Sequence, residues 1–505
     1  MSDRGIFIDV CVPTAVKLKF SLTLFGLELI ENVQLYPYYL LCSDGADLKK
    51  SAPSVSVIGL GYVGLCTAVT LASRGFRVIG VDNDETKLEL IQGAKSPFHE
   101  PRLNNLVRKG IQKQTLEVTK DVSRVSSTGL TFLTVGTPSL EDGSIDLTFV
   151  KEATHGLGNA IRTKQAYHVV VVKSTVVPGT TNNVVKPILE QSSGKVIGKD
   201  LGLCANPEFL REGTAVYDTL HPDVVVIGAN DARSARTVKA FISRFHGKNH
   251  PSIMVTRAET AELVKYASNA FLAARVSCIN TIANIAQIIP DVDVTQVAEA
   301  ISYIPRIGSL FLEAGPGYGG SCFHKDLQAL ISFSKDHGYD PLLLQATEDT
   351  NEQQSDRVVN LSEKLLGSLT GKRIAVLGLS FKKDTDDIRE AASIRVIDHL
   401  RKKGATVVAY DPAAMPNARK LLGSSVEFAE DEHTAIRGAD CCIVMTEWGE
   451  FKRLRPRDFL REMKTPNLVD ARRIYQPSEY ARINYARIGL GSPERNQPSE
   501  PLQKP

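Results

Sequence analysis

The sequence predicts an α/β protein with two Rossmann-like, doubly wound domains joined by a long central helix. The first half holds a complete glycine fingerprint between two apolar runs, and a second unit of the same kind starts near residue 371. Between them lies a long segment with apolar residues at spacings of three and four, typical of a helix. With 505 residues, the chain is also too long for one ordinary core.

The composition is that of a globular protein without a strongly charged face. Hydrophobic residues make up 43% of the chain and charged residues 23%, and the net charge is only +3. Such a charge creates no large field for nucleic acid or a membrane, so neither is expected as a partner. The eight cysteines are dispersed without paired metal-ligand spacing, which predicts free thiols, no metal and a reducing, cytoplasmic location.

The two ends differ from the rest of the chain. Residues 20–30 are apolar, but Glu28 interrupts them and they are shorter than a membrane-spanning helix requires. Asp3, Asp9 and Glu28 argue against a mitochondrial presequence, so we expect residues 1–53 to be a poorly ordered extension. The proline-rich, polar residues 489–505 are expected to be a disordered tail.

Residues 54–84 form the predicted βαβ unit, SVSVIGLGYVGLCTAVTLASRGFRVIGVDND. Gly59, Gly61 and Gly64 fit the pattern in which the first glycine makes a tight turn, the second admits a pyrophosphate and the third allows close packing. Asp82, about twenty residues further on, can accept hydrogen bonds from a ribose hydroxyl and would repel a 2′-phosphate. The unit therefore predicts NAD rather than NADP, on the N-terminus of a helix.

Four further apolar runs predict strands of the same sheet: TFLTVGTP, VVVVKSTVVPG, GLCANPEFL and DVVVIG. Ligands of such sheets bind at the carboxyl ends of the strands. Position alone therefore makes candidates of the polar residues that follow these runs, although each alone is also explained by a loop hydrogen bond or a cap: Thr137, Thr175, Asn206, Glu208 and Glu212.

The central helix is predicted over RAETAELVKYASNAFLAARVSCINTIANIAQII. Lys265 and Asn269 lie four residues apart and so share one face, from which both could donate to an oxyanion. The alternative is a solvated face with a capping amide. A helix of this length between two α/β units is also a natural dimer surface.

The segment GPGYGGSCFHKD, Gly315–Asp326, combines a glycine run, one cysteine and one carboxylate. If a helix starts here, Cys322 and Asp326 share a face, where the thiol could act as a nucleophile and the carboxylate could position or deprotonate water. The alternative is a glycine-rich turn followed by a buried structural cysteine.

The second α/β unit begins at GKRIAVLGLSFKKDTDDIRE and continues through the strands of TVVAYDP, CCIVMTEW and NLVDARR. Its turn starts with Gly378, but Ser380 and Lys383 replace the second and third glycines. Lys382, Lys383 and Arg389 suit a nucleotide diphosphate held by cations. A degenerate duplicated domain with a solvated basic loop is the alternative.

Taken in order, these segments resemble the nucleotide-sugar dehydrogenases, and specifically their UDP-glucose 6-dehydrogenase branch. The resemblance covers about residues 54–488 and includes GLGYVG, KSTVVPG, NPEFLREGTA, AELVKYASNAFLA, GPGYGGSCFHKD and GLSFKKDTDDIRE. The related UDP-N-acetylmannosamine branch typically has histidine before the nucleophile, in GGHC, whereas this chain has GGSC.

The resemblance implies an NAD-dependent, four-electron oxidation of UDP-glucose to UDP-glucuronate. Cys322 would form a thiohemiacetal and then a thioester, and Asp326 would position or deprotonate water. Lys265 and Asn269 would stabilise the oxyanion. The other implied active-site residues are Thr175, which would order water, Glu208, a candidate acid/base in hydrolysis, and Glu212.

The resemblance also implies binding residues and an oligomer. The cofactor positions would be Gly59, Gly61, Gly64, Asp82, Lys87, Thr137 and Arg389. The substrate positions would be Gly319, Lys325, Lys382 and Arg472, together with Arg306, which would reach the substrate of a neighbouring subunit in a homodimer or higher homo-oligomer.

We therefore divide the chain into five parts: residues 1–53, the extension; 54–255, an NAD-binding Rossmann domain; 256–365, a central helical dimerisation and catalytic domain; 366–488, a UDP-sugar-binding Rossmann-like domain; and 489–505, the tail. Val224, Pro305 and His324 depart from the family pattern. They leave open another UDP-hexose, such as an N-acetylated one. A two-electron hydroxyacid-type dehydrogenase and a non-catalytic, NAD-responsive or scaffold protein are the remaining alternatives.

Overall fold

A computed structural model of the chain describes residues 54–247 and 251–492, which belong to one compact unit. The predicted N-terminal extension lies outside the described residues, as do residues 493–505 of the predicted tail. The first residues after 488 are hydrogen-bonded to the body of the protein, since the Gly491 amide donates to the Val292 carbonyl over 2.8 Å. No helix within the described ranges is both long enough and apolar enough to cross a membrane.

The first α/β region alternates strands with helices, because short β-branched runs are separated by turns and by amphipathic segments. Its elements are β1 Ser54–Ile58, α1 Tyr62–Ser73, β2 Arg77–Val81, α2 Glu85–Gln92, α3 Leu103–Gln112, β3 Leu116–Thr119, β4 Leu130–Leu133, α4 Thr148–Ile161, β5 His168–Val172, α5 Lys186–Ser193, β6 Leu201–Ala205, α6 Ala215–Leu220, β7 Val224–Ala229, α7 Ala232–His246 and β8 Ser252–Thr256.

In the described part of the chain these strands form one eight-stranded sheet in the order β3-β2-β1-β4-β5-β6-β7-β8. Neighbouring strands are parallel except β6 and β7, which are antiparallel. Successive residues of β5 face opposite sides, with Val169 packed towards α1 and α7 and Val170 towards α4 and α5. Because both faces are covered, the central strands are apolar throughout, and their order reverses between β1 and β4, where such sheets open a crevice.

The central region is helical, with α8 Ala258–Ala286, α9 Val294–Ser302, α10 Phe323–Asp336 and α11 Leu342–Leu366. The 29 residues of α8 make it about 44 Å long. One side of α8 is buried through small residues such as Ala261, Ala273 and Ala283, which allow neighbouring elements to approach closely.

The second α/β region consists of β9 Arg373–Leu377, α12 Ala392–Lys402, β10 Thr406–Tyr410, α13 Met415–Leu422, β11 Glu427–Phe428, α14 Glu432–Ile436, β12 Cys441–Val444, α15 Pro456–Glu462, β13 Asn467–Asp470 and β14 Asn484–Arg487. Among the described residues its six strands have the order β11-β10-β9-β12-β13-β14, and every neighbouring pair is parallel. The predicted fold class, two doubly wound sheets with a long central helix, is therefore confirmed.

Candidate active site

A cavity of about 500 Å³ lies where the loops after β5 and β6 meet α8 and the start of α10. It brings together five of the residues chosen from the sequence, although they come from three separate parts of the chain: Cys322, Lys265, Asn269, Asn206 and Glu208. The solvated-face alternative for Lys265 and Asn269 is therefore wrong, because their side chains are buried against this cavity.

Cys322 is the residue directly before the first turn of α10, with its thiol lining the cavity. The Ser321 hydroxyl lies 3.5 Å from the Cys322 sulfur. Burial raises the pKa of the Cys322 thiol, Glu208 and Asp326 raise it further, and the lowering by Lys265 does not compensate. The protein alone therefore holds a protonated thiol, whereas a cysteine at a helix start often has a lowered pKa.

Asp326 lies one turn into α10 and is only 1% exposed. Its two carboxylate oxygens accept hydrogen bonds from the Asn269 amide over 2.6 Å and from the Lys325 ammonium over 2.5 Å. Lys325, which the resemblance placed at the substrate, is thus paired with Asp326 here. This pairing keeps a buried carboxylate compensated within reach of the cavity.

Lys265 and Glu208 form the second ion pair of the cavity, with 2.9 Å between the ammonium nitrogen and Oε1. Their side chains are 4% and 7% exposed. Burial alone would lower the pKa of Lys265 and raise that of Glu208. The attraction from Glu208, Asp326 and Cys322 instead raises the pKa of Lys265, while Lys265 and Lys173 lower that of Glu208, so both groups stay charged.

Lys173 is a cavity residue that the sequence analysis did not select. It follows β5 directly, and its ammonium donates to the Asn206 side-chain oxygen over 3.2 Å. Burial lowers the pKa of Lys173 to about 8, although Glu208 opposes this shift. The signal was available in KSTVVPG, because a lysine at the carboxyl end of a central strand stands only two residues before Thr175, which was selected.

Glu212 lies beside the start of α10 and contacts the second α/β region. Its Oε1 accepts a hydrogen bond from Ser321 over 3.1 Å and lies 3.4 Å from the Arg389 guanidinium, which also pairs with Asp387. Burial, assisted by Asp387, raises the pKa of Glu212 to about 7. Its other oxygen is buried without a protein partner, so it can still bind a proton or a ligand group.

The loop that carries Thr175 is anchored on both sides. The Thr137 hydroxyl donates to the Thr175 carbonyl over 2.9 Å. On the other side the Glu262 carboxylate of α8 accepts hydrogen bonds from the Gly179 and Thr181 amides, over 2.6 and 2.8 Å. Thr175 also lines a cavity of about 10 Å³ next to Lys265, in which a single water would fit.

The glycine loop after β1 has the geometry that a dinucleotide requires. Gly59 has a φ of +92°, and a Cβ on Gly64 would lie 1.8 Å from the Gly59 carbonyl oxygen, so both positions need glycine. A Cβ on Gly61 would meet nothing within 4 Å, which leaves room for a phosphate. Asp82 accepts the Leu60 amide over 2.6 Å and pairs with Lys87 at 2.9 Å, so these residues fit NAD.

In the second α/β region the corresponding loop is closed by Asp411. Its Oδ2 accepts hydrogen bonds from the Leu379 and Ser380 amides over 2.8 and 3.0 Å, which occupies the donors a phosphate would use. Arg472 donates to the Phe381 carbonyl, and Lys382 lies over the Phe381 ring. The cations of this loop therefore remain its predicted anion-binding groups.

The other selected residues lie at the edge of the cavity or outside it. A Cβ on Gly319 would lie 2.4 Å from the Glu390 carbonyl oxygen, so this glycine lets the segment before α10 pack closely against the second α/β region. Arg306 and Pro305 are exposed on the segment after α9, away from the cavity lining. Val224 lines the cavity.

His324 is a partly buried residue. It lies in the first turn of α10 and is hydrogen-bonded to the buried Glu348 of α11. This hydrogen bond raises the pKa of His324 against the effect of burial. The departure from the family pattern therefore adds a contact between α10 and α11, two residues after the nucleophile candidate.

Comparison with known proteins gives a consistent result over most of the described residues. Three models of the UDP-glucose/GDP-mannose dehydrogenase family match: its NAD binding domain over residues 53–246, its central domain over 259–353 and its UDP binding domain over 375–477. A UDP-glucose 6-dehydrogenase of Haloferax volcanii is 43% identical over 421 residues, which are 83% of this chain and 96% of that protein.

Two solved structures are similar over most of their length. A UDP-glucose dehydrogenase from Pyrobaculum islandicum has a TM-score of 0.79 and 36% identity, with 87% of this chain and 97% of that chain covered. A UDP-D-ManNAc dehydrogenase from Pyrococcus horikoshii has a TM-score of 0.77 and 25% identity, with 86% and 99% covered.

Proposed function

Because the chain belongs to the UDP-glucose/GDP-mannose dehydrogenase family, we propose that it oxidises C6 of UDP-glucose from the alcohol to the carboxylate, which forms UDP-glucuronate. The protein is an NAD-dependent oxidoreductase that acts on a UDP-sugar. The observation that carries the proposal is that Cys322 lines one cavity together with the Lys265–Glu208 pair and with Asn269, whose amide is hydrogen-bonded to Asp326.

The first role of these residues is to accept the proton of the C6 hydroxyl and to stabilise the negative charge that develops on its oxygen. Lys265 is held as a cation and can donate to this oxygen as its proton leaves, while Glu208 is the candidate base. Gly59, Gly61 and Gly64 would hold NAD, which would supply the hydride acceptor for each of the two oxidations at C6. Lys87, Thr137 and Arg389 complete the cofactor positions that we propose.

Cys322 retains the aldehyde between the two oxidations. Its sulfur bonds to C6 while the thiol proton passes, through a neighbouring base, to the aldehyde oxygen, which gives a thiohemiacetal. Loss of a hydride from C6 and of the hydroxyl proton to that base leaves a thioester. Water positioned by Asp326 and Thr175 then adds to C6, and the C–S bond breaks. The products are the carboxylate and the free thiol. The raised pKa of Cys322 suits a nucleophile that reacts only once substrate is in place.

We assign the UDP group to residues 366–488, with Lys382 and Arg472 as its cationic contacts, and Gly319, Lys325 and Glu212 at the sugar end. We further propose a homodimer in which Arg306 reaches the substrate of the neighbouring subunit. Support comes from its exposure and from one exposed stripe on α8. The stripe includes Leu263 and Ile285, and Phe271 within it is 75% exposed. We place the reaction in the cytoplasm, since Cys441 and Cys442 are among the free thiols.

The test measures NADH and uronate together with a panel of UDP-hexoses. UDP-glucose should yield two NADH per sugar, and Cys322→Ala should lose acid formation. One NADH per turnover with release of an aldehyde or ketone would refute the four-electron mechanism, and binding of both ligands without turnover would favour a scaffold role. A UDP-N-acetylhexosamine is the second candidate, supported by the similar UDP-D-ManNAc dehydrogenase, and the same panel decides it.

A further inference from the structure

Two lysines from different elements favour the ionised form of Glu208. Lys265 comes from α8 and pairs with it at 2.9 Å, and Lys173 comes from the end of β5 and contributes to its lowered pKa. All three side chains line the same cavity as Cys322. One buried carboxylate therefore has two cationic partners, more than is needed for neutrality.

The second cation matters because Lys265 has two tasks. At rest its ammonium compensates Glu208, but during the oxidation it must also donate to the oxygen on C6. If Lys265 turned to the substrate and Lys173 were absent, Glu208 would be a buried anion whose one donor among the described residues is the Leu210 amide. An uncompensated buried charge is costly, and Glu208 would take up a proton instead.

The position of Lys173 suits this second task. Its ammonium is held by the Asn206 side chain, which in turn donates to the Val226 carbonyl over 2.8 Å. The charged or titratable groups that face Lys173 are Glu208, Lys265 and, at the end of α7, His246. Glu208 alone among these is acidic, so the charge of Lys173 acts mainly on that carboxylate.

We propose that Lys173 is a positioning residue for the reaction, whose cation keeps Glu208 ionised while Lys265 donates to the oxygen on C6. The inference rests on the proposed function, because it assigns that donation to Lys265. The cation of Lys173 is present below about pH 8 and is lost above it, since burial lowers its pKa to about 8. Its contribution to the rate therefore disappears as the pH rises through this value.

The first experiment compares Lys173→Met, Lys173→Arg and Lys164→Met. Lys164 is the matched control: it is a half-buried lysine near the other end of β5, its pKa is also lowered by burial, and it is outside the cavity lining. We expect Lys173→Met to lower kcat about tenfold or more below pH 8, with a smaller change in KM and without the alkaline limb of the wild-type profile.

Lys173→Arg should restore much of kcat and shift the alkaline limb upward, because a guanidinium keeps its charge. In a Glu208→Gln background, Lys173→Met should have little further effect on kcat. Equal losses in Lys173→Met and Lys164→Met, or an unchanged alkaline limb in Lys173→Met, would overturn the inference. Melting temperatures distinguish a folding defect from a loss of kcat. We expect no folding defect in Lys173→Met, because burial of the Lys173 ammonium costs free energy and the variant removes that cost.

A second experiment needs no turnover and so separates this inference from the proposed function. Trace acetic anhydride acylates only neutral amines, and mass spectrometry of the Lys173 peptide reports its rate against pH. At pH 7, Glu208→Gln should make Lys173 react at least about threefold faster. This rate change corresponds to a pKa of Lys173 that is lower by about half a unit. An unchanged rate would refute the coupling even if the enzyme were active, whereas a faster rate in a protein without UDP-hexose oxidation would refute only the proposed function.

Discussion

Replacing Lys265 by methionine should make the protein's stability depend on pH with a sign opposite to that of the wild-type ion pair. In the wild type the pKa of Glu208 is lowered, so the pair stabilises the fold above the ordinary glutamate pKa and this contribution is lost in acid. Without Lys265, the attraction of Lys173 offsets burial only in part, so the pKa of Glu208 rises above its ordinary value. The deficit of Lys265→Met should therefore grow from pH 5 to pH 8.

The size of the effect follows from burial. Side chains that are 4% and 7% exposed belong with buried pairs, for which loss of one partner costs about 3–5 kcal/mol, rather than with surface pairs, which contribute about 0–1 kcal/mol. Lys173 remains beside Glu208, so we expect the lower end, about 3 kcal/mol at pH 8. In a domain of about 150–250 residues, a loss of about 3 kcal/mol lowers the melting temperature by about 6–12 °C.

The assay is a thermal melt of the wild type, Lys265→Met and Lys265→Met/Glu208→Gln from pH 5 to pH 8. The double variant has no buried carboxylate to leave unpaired, so its melting temperature should recover while its activity should not. A double variant that melts no higher than Lys265→Met at pH 8 would refute the reasoning. So would a deficit of Lys265→Met that shrinks as the pH rises.

Three further outcomes are expected. Gly64→Ala should lower the melting temperature strongly, because its Cβ would lie 1.8 Å from the Gly59 carbonyl oxygen, whereas the control Gly61→Ala should fold normally and weaken NAD about tenfold in a binding titration. Between pH 5 and pH 8, Glu212→Gln should gain about 2–3 kcal/mol of unfolding free energy relative to the wild type, as measured by denaturant titration. The reason is that a carboxyl with a pKa of about 7 loses its stabilising protonated form as the pH rises. An absent gain would contradict the raised pKa of Glu212. Glu348→Gln should lower the pKa of His324, measured by NMR, and should destabilise the protein more at pH 6 than at pH 9. The raised pKa of His324 means that its pairing with Glu348 stabilises the fold in acid. An unchanged histidine titration would contradict the pairing.

Much of the fold could be predicted because its signals are local. The apolar runs of β1, β4 and β5 and the glycines after β1 each specify one turn or one strand through nearby residues. Strands without such a run were missed, among them β8, in which Met254 is half exposed. Neither β3 nor β14 was predicted, since polar residues such as Glu117 in β3 and Asn484 in β14 interrupt their apolar runs.

The sequence by itself determined the family, the glycine loop and the spacing of Cys322 and Asp326 on α10, because these depend on residues close together in the chain. Only the tertiary structure decided their electrostatics. Cys322 has a raised pKa, and Lys173 a lowered one, because burial and charges from β5, the loop after β6, α8 and α10 act together at one place. Burial and distance between residues far apart in the chain exist only after folding, so no local pattern could have indicated them.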